Sequence, residues 1–488
     1  MRSPDLKQRR AGILLHPTSL PSGLLDEDVD RWLQIMAGTG FSVWQVLPLG
    51  EPQAGLSPYQ CTSAFALNPA LLPDAEAADE CDSGFINFCK EQNFWLDDYV
   101  LFKVLKQHFN DDHWIEWPEP WKFRDAKTLQ QSAKEYAQVI TELKWQQYKL
   151  HERWQAIRKK ATALDILLFG DMPIYVGHDS ADVWAHPEWF LLHPDGNMKV
   201  VTGVPPDYFS ETGQRWGNPH YDWDAMRADN FSWWKSRIHH HLEQFDLVRI
   251  DHFRGLQAAW VIDASCETAV DGRWQKMPGD ELLSAIKSSI EKCYNQMPFV
   301  AEDLGIITEE VTALRKKYQL PGMAILQFGF DEFEDNPHKP QNIKEDTVVY
   351  TGTHDNDTTK GWFNGLEQHV KNNVLDVLNL PIVDDEAGEI DVEPGRYSCW
   401  IDNVDLADLV VERLVDNAMH SRANICIIPV QDCLHLGSEA RMNTPGTTVG
   451  NWKWQFQWQQ IKHQHDSSRM KKMRMRNENS HRLNEPKS

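Results

Sequence analysis

Eight short apolar runs recur along the chain, and polar or charged residues follow each of them. The runs begin at Gly12, Val43, Ile166, Leu247, Phe299, Met323, Val348 and Asn424. They are continuous rather than alternating, which is typical of parallel strands that are buried on both faces. Most are separated by segments with helical periodicity, such as DELLSAIKSSIEKCYNQ and ITEEVTALRKKYQL. Strand and helix repeated eight times predict an α/β fold, a (β/α)8 TIM barrel with inserted helical and loop-rich subdomains.

The spacing of these runs predicts one catalytic barrel over residues 1–460 with three insertions. The insertion at about 66–163 has helical periodicity, and a third irregular one is expected at about 380–405. Between them, about 178–235 is rich in Gly, Pro and Asp, which suits turns and a mobile lid. Residues 461–488 form a basic C-terminal tail, and a terminal charge run is usually solvated.

Composition and charge restrict the class of function. The chain has 488 residues, 41% of them hydrophobic and 25% charged, as in soluble globular proteins. We expect a cytoplasmic protein, because there is neither a membrane-length apolar run nor a signal peptide. A net charge of −23 argues against nucleic acid as a partner, since binding phosphates requires a basic surface. A neutral or small substrate fits better.

Metal sites are also disfavoured by the pattern of potential ligands. The eight cysteines are scattered and none forms a C-x-x-C pair, so neither a disulfide framework nor a zinc ribbon is suggested. The run His239–His241 is expected at the end of a surface helix, because adjacent helix positions do not face one another. We therefore predict no metal site.

Polar residues follow several of the predicted strands, where a barrel of this kind has its active site. These residues are Asp171, Arg249, Asp251, His252, Glu302, Asp303, His354, Asp355, Asp357, Gln431 and Asp432. A cluster of acids at one mouth would raise some pKa values and lower others. The alternative is structural, because strand ends are polar wherever they meet loops. In VVYTGTHDNDTT, Asn356 or Asp357 would then be the N-cap of the following helix.

Two of these carboxylates suit the cleavage of a glycosidic bond, which needs one ionised and one protonated acid. Arg249 lies two residues before Asp251, on the same face of a strand, and would keep Asp251 ionised as a nucleophile. Glu302 follows an apolar strand and would keep its proton more easily, as a general acid must. No G-x-S-x-G serine is present, so acyl chemistry is disfavoured.

Long stretches of the chain resemble the 4-α-glucanotransferases, also called amylomaltases or disproportionating enzymes, which form glycoside hydrolase family 77 in the α-amylase clan. The stretches are LLHPTSLP, WQVLPLG, SPYQ, FGDMPIYV, SADVWAHPEWF, GVPPDYFSETGQRWGNP, VRIDHFRG, AEDLG, PGMAILQF, YTGTHDNDTT, PVQDCLHLGSEARMNTPG and NWKW. The resemblance runs from about Gly12 to about Trp454. It implies a (β/α)8 barrel with inserted subdomains, in agreement with the predicted strands.

The resemblance also implies a reaction and three catalytic residues. Asp251 would be the nucleophile that forms a covalent glucosyl-enzyme, Glu302 the acid and base, and Asp355 the stabiliser of the transition state. A segment of α-1,4-glucan or maltooligosaccharide would pass to the 4-hydroxyl of an acceptor glucan or glucose, in maltooligosaccharide, glycogen or starch metabolism. No cofactor is implied, because the chemistry is all carboxylate. The expected assembly is a monomer or a weak homodimer.

Further residues are implied to bind the sugar chain. They are Ser57, Tyr59, Asp171, Tyr208, Phe209, Gln214, Trp216, Arg249, His252, Phe328 and His354. Tyr59 resembles an aromatic platform, and the segment from Pro205 to Pro219 resembles a lid over the acceptor subsites. Such a lid would exclude water and favour transfer over hydrolysis. A tyrosine-bearing segment of the family is missing between Asn68 and Trp95, so a secondary glucan site is not carried over.

Two other functions remain open from the sequence. A hydrolase of the α-amylase type would use the same three acids, and only the lid segment favours transfer. A catalytically silent glycan-binding protein is a second alternative, against which the intact Asp251, Glu302 and Asp355 argue.

Overall fold

The predicted strands form one parallel eight-stranded sheet in the computed structural model, which describes residues 3–74, 77–206, 210–383, 390–391, 405–461 and 469–482. The strands are β1 (Arg10–Leu14), β2 (Val43–Gln45), β3 (Leu167–Met172), β4 (Leu247–Ile250), β5 (Phe299–Ala301), β6 (Gly322–Ile325), β7 (Thr347–Tyr350) and β8 (Ile425–Pro429). Their order is β6-β7-β8-β1-β2-β3-β4-β5. The prediction of a (β/α)8 barrel is confirmed.

The barrel closes between β5 and β6, the two ends of this order. The N–H of Ala301 donates to the carbonyl of Pro321 at 2.8 Å. The N–H of Met323 donates to the carboxylate of Asp303 at 2.7 Å, and that carboxylate also pairs with Arg315 at 3.1 Å. A side chain therefore completes the closure where strand pairing is sparse.

Side chains are buried on both faces of the strands, which explains the continuous apolar runs. On β8, Ile425 and Ile427 pack into the cluster inside the barrel, whereas Cys426 and Ile428 pack outward against the helices. Inside the barrel they meet side chains such as Phe169 on β3. A strand that is covered on both faces has no polar face, so the sequence shows no alternation.

Helices cover the outside of the barrel. They are Glu27–Thr39, Ser232–Gln244, Gly279–Ile290, Glu309–Lys317, Thr359–Gly365, Gln368–Val377 and Leu406–His420. Short helical turns lie at Pro17–Ser19, Ala181–Ala185, Pro187–Trp189, Trp223–Ala228, Arg254–Gln257, Leu326–Phe328, Pro340–Asn342, Val430–Cys433 and Ser438–Ala440. The first helix is bounded by local signals: the side chain of Asp26 caps its N-terminus, and Gly40 adopts a left-handed conformation after its last residue.

The chain between β2 and β3 is helical. Its helices and turns are Pro69–Leu71, Ser83–Glu91, Asn93–His108, Trp114–Glu116, Glu119–Lys122, Ala126–Glu135 and Ala137–Ala163. The long helix Ala137–Ala163 packs against the barrel helices Glu27–Thr39 and Ser232–Gln244. The barrel and this helical segment therefore share one core, in which Trp154 of the long helix contacts Trp44 of β2.

The region expected to be a loop-rich lid contains more regular structure than predicted. An antiparallel sheet, here called the accessory sheet, has the strand order Gln214–Pro219, Val200–Val204, Ala258–Asp263 and Gly272–Lys276. Two of its strands come before β4 and two after it, so the pairing joins segments that are distant along the chain. Most of the third insertion lies outside the described residues. In its described part, Ile382–Val383 pairs with Ile390–Asp391.

The expectation of a solvated C-terminal tail is wrong for residues 469–482. A helix forms at Arg469–Asn479 and packs against the helices Glu27–Thr39 and Leu406–His420. Arg482 is buried and donates to the carbonyls of Arg10 and Asn424, at the start of β1 and just before β8. The basic run is thus tied down by specific hydrogen bonds. Within the described chain, no helix has the length and apolar character needed to cross a membrane.

Candidate active site

Asp251 and Glu302 lie side by side at the carboxyl end of the barrel. Asp251 directly follows β4 and Glu302 directly follows β5. The N–H of His252, the residue next to Asp251, donates to the carboxylate of Glu302 at 2.7 Å. The N–H of Phe253 donates to the carbonyl of Glu302 at 3.1 Å. The two loops are therefore bonded to each other, and their acids belong to one site.

Arg249 connects Asp251 to a buried acid on the neighbouring strand. Its Nη1 lies 2.8 Å from both carboxylate oxygens of Asp171 and 2.8 Å from Oδ1 of Asp251. Asp171 is only 1% exposed, whereas the side chain of Asp251 is 27% exposed and can reach a ligand. Burial raises the pKa of Asp171, and the guanidinium of Arg249 opposes that shift. Arg249 thus holds one acid inside and orients the other outward.

Glu302 is positioned to carry a proton near neutral pH. Burial raises its pKa to about 7, with Arg249 opposing the shift and the charge of Asp251 adding to it. Its carboxylate accepts backbone N–H groups from His252 at 2.7 Å and Leu304 at 3.0 Å, which fix its orientation. His252 has a φ of 49°, a left-handed conformation that is uncommon outside glycine. Burial lowers the pKa of its ring to about 4, so the imidazole is neutral at pH 7.

An aromatic wall faces these acids. The hydroxyl of Tyr59 donates to Asp171 at 2.7 Å, and its ring stacks on His354 with centroids 5.3 Å apart. The ring of Trp452 lies 6.1 Å from Tyr59 and 5.8 Å from His354. Burial, followed by the charge of Asp171, raises the pKa of Tyr59 well above its usual value, so the phenol stays a donor. Rings beside polar groups form a surface that suits a sugar.

Asp355 is held by residues that sequence reasoning missed. The amide of Asn443 donates to its Oδ1 at 2.7 Å, and Arg441 donates to its carbonyl at 2.9 Å. Nε2 of His354 lies 3.4 Å from its other oxygen. Asn443 and Arg441 lie more than ten residues beyond β8, as does Trp452, so a search of strand ends passes over them. The sequence signal that could have identified them is that they lie in SEARMNTPG and NWKW, two of the stretches that resemble the family.

Of the other predicted binding residues, Trp216 and Ser57 contact residues of this centre. Trp216 meets the ring of His252 edge-on at 4.8 Å, and its indole N–H donates to Gln214 at 3.1 Å. The hydroxyl of Ser57 accepts the N–H of Tyr59 at 3.4 Å. Phe328 lies on the turn after β6, exposed, with its ring edge-on to His338 at 5.6 Å. Tyr208 and Phe209 lie outside the described residues.

Three of the strand-end residues do not join the acids at the mouth. Asp303 spans the barrel closure, and burial raises its pKa to about 6. Asp432 is buried and accepts hydrogen bonds from the hydroxyl groups of Thr351 and Thr359. Gln431 donates to the carbonyl of Ala440. Their strand ends meet neighbouring elements, so the structural alternative applies to these three.

The cap expected in the stretch VVYTGTHDNDTT is also corrected. The helix Thr359–Gly365 is capped by Thr358, whose hydroxyl accepts the N–H of Gly361 at 3.0 Å. Asn356 instead accepts from the backbone and hydroxyl of Thr353. Asp357 accepts the hydroxyl of Ser438 at 2.6 Å. A threonine outside the polar cluster is therefore the cap.

The histidine run lies near the end of the helix Ser232–Gln244, and two of its rings bond to backbone carbonyls. His240 bonds to the carbonyl of Phe65 at 2.8 Å, and His241 bonds to the carbonyl of Arg237 at 2.9 Å. Burial lowers the pKa of both rings, to about 4 and about 3. The expectation of a surface position is wrong for His240, which is buried, whereas His241 is half-buried in the last turn of the helix. Among the described residues, no group of His, Cys, Asp or Glu is arranged to hold a metal ion.

Four features of this site are typical of an enzyme that acts on glycosidic bonds. They are the barrel, the acid with a pKa near 7, the neighbouring carboxylate held by arginine, and the aromatic wall. A family model described as 4-alpha-glucanotransferase, glycoside hydrolase family 77, matches residues 15–81 and 73–461. The chain belongs to this family. The activity predicted from the sequence, 4-α-glucanotransferase activity in glucan metabolism, is thereby confirmed.

Individual relatives are similar to nearly the whole of this chain. The 4-alpha-glucanotransferase of Thermus thermophilus is 42% identical over 91% of this chain and 94% of its own. The 4-alpha-glucanotransferase of Synechocystis sp. is 38% identical over 92% of this chain and 94% of its own. A solved amylomaltase from Streptococcus agalactiae in complex with acarbose is 29% identical and covers 98% of this chain and 100% of its own, with a TM-score of 0.86. A solved amylomaltase from Corynebacterium glutamicum shares the fold, with a TM-score of 0.74. It is 15% identical, and the match covers 96% of this chain and 75% of that one.

Proposed function

We propose that Asp251 and Glu302 carry out the transfer as a retaining double displacement. Asp251 attacks the anomeric carbon of the donor, and its oxygen forms a bond to that carbon as the glycosidic bond breaks. Glu302 gives its proton to the departing sugar oxygen. It then takes the proton of the acceptor 4-hydroxyl, which attacks the anomeric carbon and releases Asp251. The observation that carries the proposal is the raised pKa of Glu302 beside an arginine-held Asp251.

The remaining polar groups would hold the sugar ring whose bond is cleaved. Asp355, oriented by Asn443, would accept hydroxyl groups of that ring and stabilise the positive charge of the transition state. Asp171 is buried and bonded to Arg249 and to the hydroxyl of Tyr59, so it would position these two groups for the sugar from the β3 side. The stack of Tyr59 on His354 supports an aromatic platform at this position, because an exposed ring face suits the apolar face of a sugar.

Transfer rather than hydrolysis requires that a sugar reaches the covalent intermediate before water does. Trp216, whose ring lies against His252, and Gln214 would cover the acceptor side and exclude water. Incubation with maltotriose tests this. A ladder of longer maltooligosaccharides together with glucose is expected. Shorter products alone would contradict the proposal and favour a hydrolase of the α-amylase type.

The roles of the two acids are tested with donors that differ in their leaving group. Glu302→Gln should lose about 10²–10⁴-fold in kcat with maltotriose, since general acid catalysis typically contributes that much. It should recover the first half-reaction with α-maltotriosyl fluoride, seen as a burst of fluoride release, because fluoride leaves without a proton. Transfer to the acceptor should stay slow, because the base is missing. Asp251→Asn should recover turnover with neither donor while still binding glucan. Recovery of Asp251→Asn with the fluoride would contradict the nucleophile assignment.

The substrates, the oligomeric state and the cellular compartment of the protein are proposals as well. We expect α-1,4-glucans as donors and glucose or glucan as acceptors, with the chain acting as a monomer or a weak homodimer. Sedimentation across a hundredfold range of concentration would test the assembly. Cysteines such as Cys426 and Cys433 are unpaired and buried, which suits the reducing cytoplasm. The division into one catalytic barrel over 1–460 with three insertions is part of the same proposal.

A further inference from the structure

The outermost strand of the accessory sheet carries an exposed tryptophan that the reaction above does not use. Trp274 lies in Gly272–Lys276, an edge strand, and 41% of its surface is exposed. Its cross-strand partner is Trp260, whose ring meets it at 5.2 Å and 65°. The guanidinium of Arg254 lies over the Trp274 ring, 3.8 Å from its centroid. Two neighbours therefore fix the ring while a large part of it faces solvent.

Arg254 connects this ring to both catalytic loops. It comes three residues after Asp251, so its Cα lies within about 11 Å of that residue even in a fully extended chain. Its Nη1 donates at 2.6 Å to the carbonyl of Ile306, four residues after Glu302. The ring of Trp274 thus stands at the rim formed by the loops after β4 and β5, where the two acids lie.

The partners of Arg254 indicate that its role is to hold the ring. The side chain is buried, and burial lowers its pKa. Within the part of the chain that the structure describes, it has no ion pair, and its Nε has no hydrogen-bond partner. A buried cation without a carboxylate is costly unless another group compensates it. The hydrogen bond to the carbonyl of Ile306 and the close cation–π contact compensate it, and the cation–π contact also fixes the plane of Trp274.

The surroundings of Trp274 suit a carbohydrate. Ile306, 69% exposed, lies on the loop to which Arg254 bonds, and Arg273, Gln275 and Lys276 are exposed along the strand. An aromatic face flanked by polar side chains offers stacking to the apolar face of a sugar and hydrogen bonds to its hydroxyl groups. The charged side chains also protect this edge strand from pairing with another copy of the chain.

We propose that the Trp274 ring, backed by Arg254, is an outer binding platform for the acceptor glucan. It stacks on a glucose unit of an α-1,4-glucan beyond the unit that receives the transferred segment, and it makes longer acceptors better substrates than glucose. This inference rests on the proposed function. It assigns a residue to the preference for acceptor length, and the assignment does not depend on the lid residues.

A donor that leaves the acceptor side empty tests the platform. With α-maltotriosyl fluoride as donor, the rate of transfer is measured to labelled glucose and to labelled maltopentaose. Trp274→Ala should raise KM for maltopentaose about three- to tenfold, the loss expected of one aromatic contact. Its KM and kcat for glucose should stay unchanged. Trp274→Phe, which keeps a ring, should retain most of the affinity for maltopentaose. Phe123→Ala is the matched control, since Phe123 is an exposed ring near Lys122 in the helical insertion.

Three outcomes would overturn the proposal. Equal losses with glucose and maltopentaose would mean that the ring only supports the catalytic loops. Unchanged kinetics with both acceptors would mean that glucan does not reach it. A change in sedimentation of Trp274→Ala with normal kinetics would mean that the edge strand binds a second copy. Direct titration of maltopentaose into Asp251→Asn, with and without Trp274→Ala, separates this question from the catalytic assignment, because binding is measured there without turnover.

Discussion

Asp251 and Glu302 carry the same functional group, and their surroundings give them different properties. Arg249 contacts Asp251 at 2.8 Å, so the negative charge of that carboxylate is matched by a fixed positive one. Glu302 is half-buried beside an apolar strand, and its carboxylate accepts hydrogen bonds from backbone N–H groups. Burial penalises the charged form, which raises the pKa of Glu302 to about 7. Environment rather than residue type therefore assigns the two proposed roles.

The raised pKa of Glu302 predicts how the rate depends on pH. The acid is protonated below about 7 and loses its proton above it. For maltotriose, kcat/KM should therefore fall about tenfold for each pH unit above 7. With α-maltotriosyl fluoride as donor, fluoride release in the first half-reaction should not show this fall, because no proton is needed. A fall of equal size with both donors would assign the titration to another group.

Asn443 predicts a second effect at the scale of one residue. Its amide donates to Asp355 at 2.7 Å and fixes the carboxylate that we propose contacts the sugar. Asn443→Ala should lower kcat about tenfold with little change in KM, because the lost interaction matters most in the transition state. Asn443→Asp should lose more, since two carboxylates would repel. The control is Asn373→Ala, which removes an exposed side-chain hydrogen bond to Phe330. A loss confined to KM would contradict the role in catalysis.

At the scale of elements, the closure between β5 and β6 places Glu302. The strand pairing is sparse there, and Asp303 joins the loop after β5 to Met323 on β6 and to Arg315. Arg315 also donates to the carbonyl of Leu320, just before β6. The residue next to the proposed acid thus belongs to the frame of the barrel, and its carboxylate replaces strand hydrogen bonds.

Removing this side chain should destabilise the fold. Asp303→Ala leaves the buried Arg315 with its hydrogen bond to the carbonyl of Leu320 and, as its carboxylate contact, the weak one to Asp346 at 3.4 Å. Breaking a buried pair costs about 3–5 kcal/mol, so we expect a loss of about 3 kcal/mol in the free energy of unfolding. Urea denaturation followed by circular dichroism measures it. Glu345→Ala, which breaks an exposed pair with Arg422, should cost less than about 1 kcal/mol. Equal losses would contradict the structural role of Asp303.

The elements also show how far the sequence alone can predict such a molecule. The barrel strands were predictable because strands covered on both faces are continuous apolar runs, and Asp251 and Glu302 because they end two of them. The accessory sheet was not, because Gly203 and Gly217 interrupt its strands and the pairing of Gly203 with Trp260 joins segments on either side of β4. Asn443 was missed since its loop returns to Asp355 by tertiary contacts that no local pattern records.

At the scale of the whole molecule, the two ends of the barrel have different tasks. The carboxyl end holds the acids and the aromatic wall. At the other end, Arg482 donates to the carbonyls of Arg10 and Asn424, which ties the C-terminal segment to the start of β1 and to the residue before β8. Hydrogen bonds at the amino end of the barrel, such as those of Arg482, can therefore stabilise a fold whose active site contains polar groups that are costly to bury.

The net charge of −23 predicts the last property, the response to salt. A glucan is neutral, so the field of the protein should neither attract nor repel it, and screening should not alter their encounter. We expect kcat/KM for maltotriose to change less than about twofold between 50 and 500 mM NaCl. Unfolding midpoints over the same series serve as the control, because salt acts on the paired surface charges. A steep rise or fall of kcat/KM with salt would mean that the charge of the protein acts on substrate binding or on the catalytic acids, and either result would contradict this prediction.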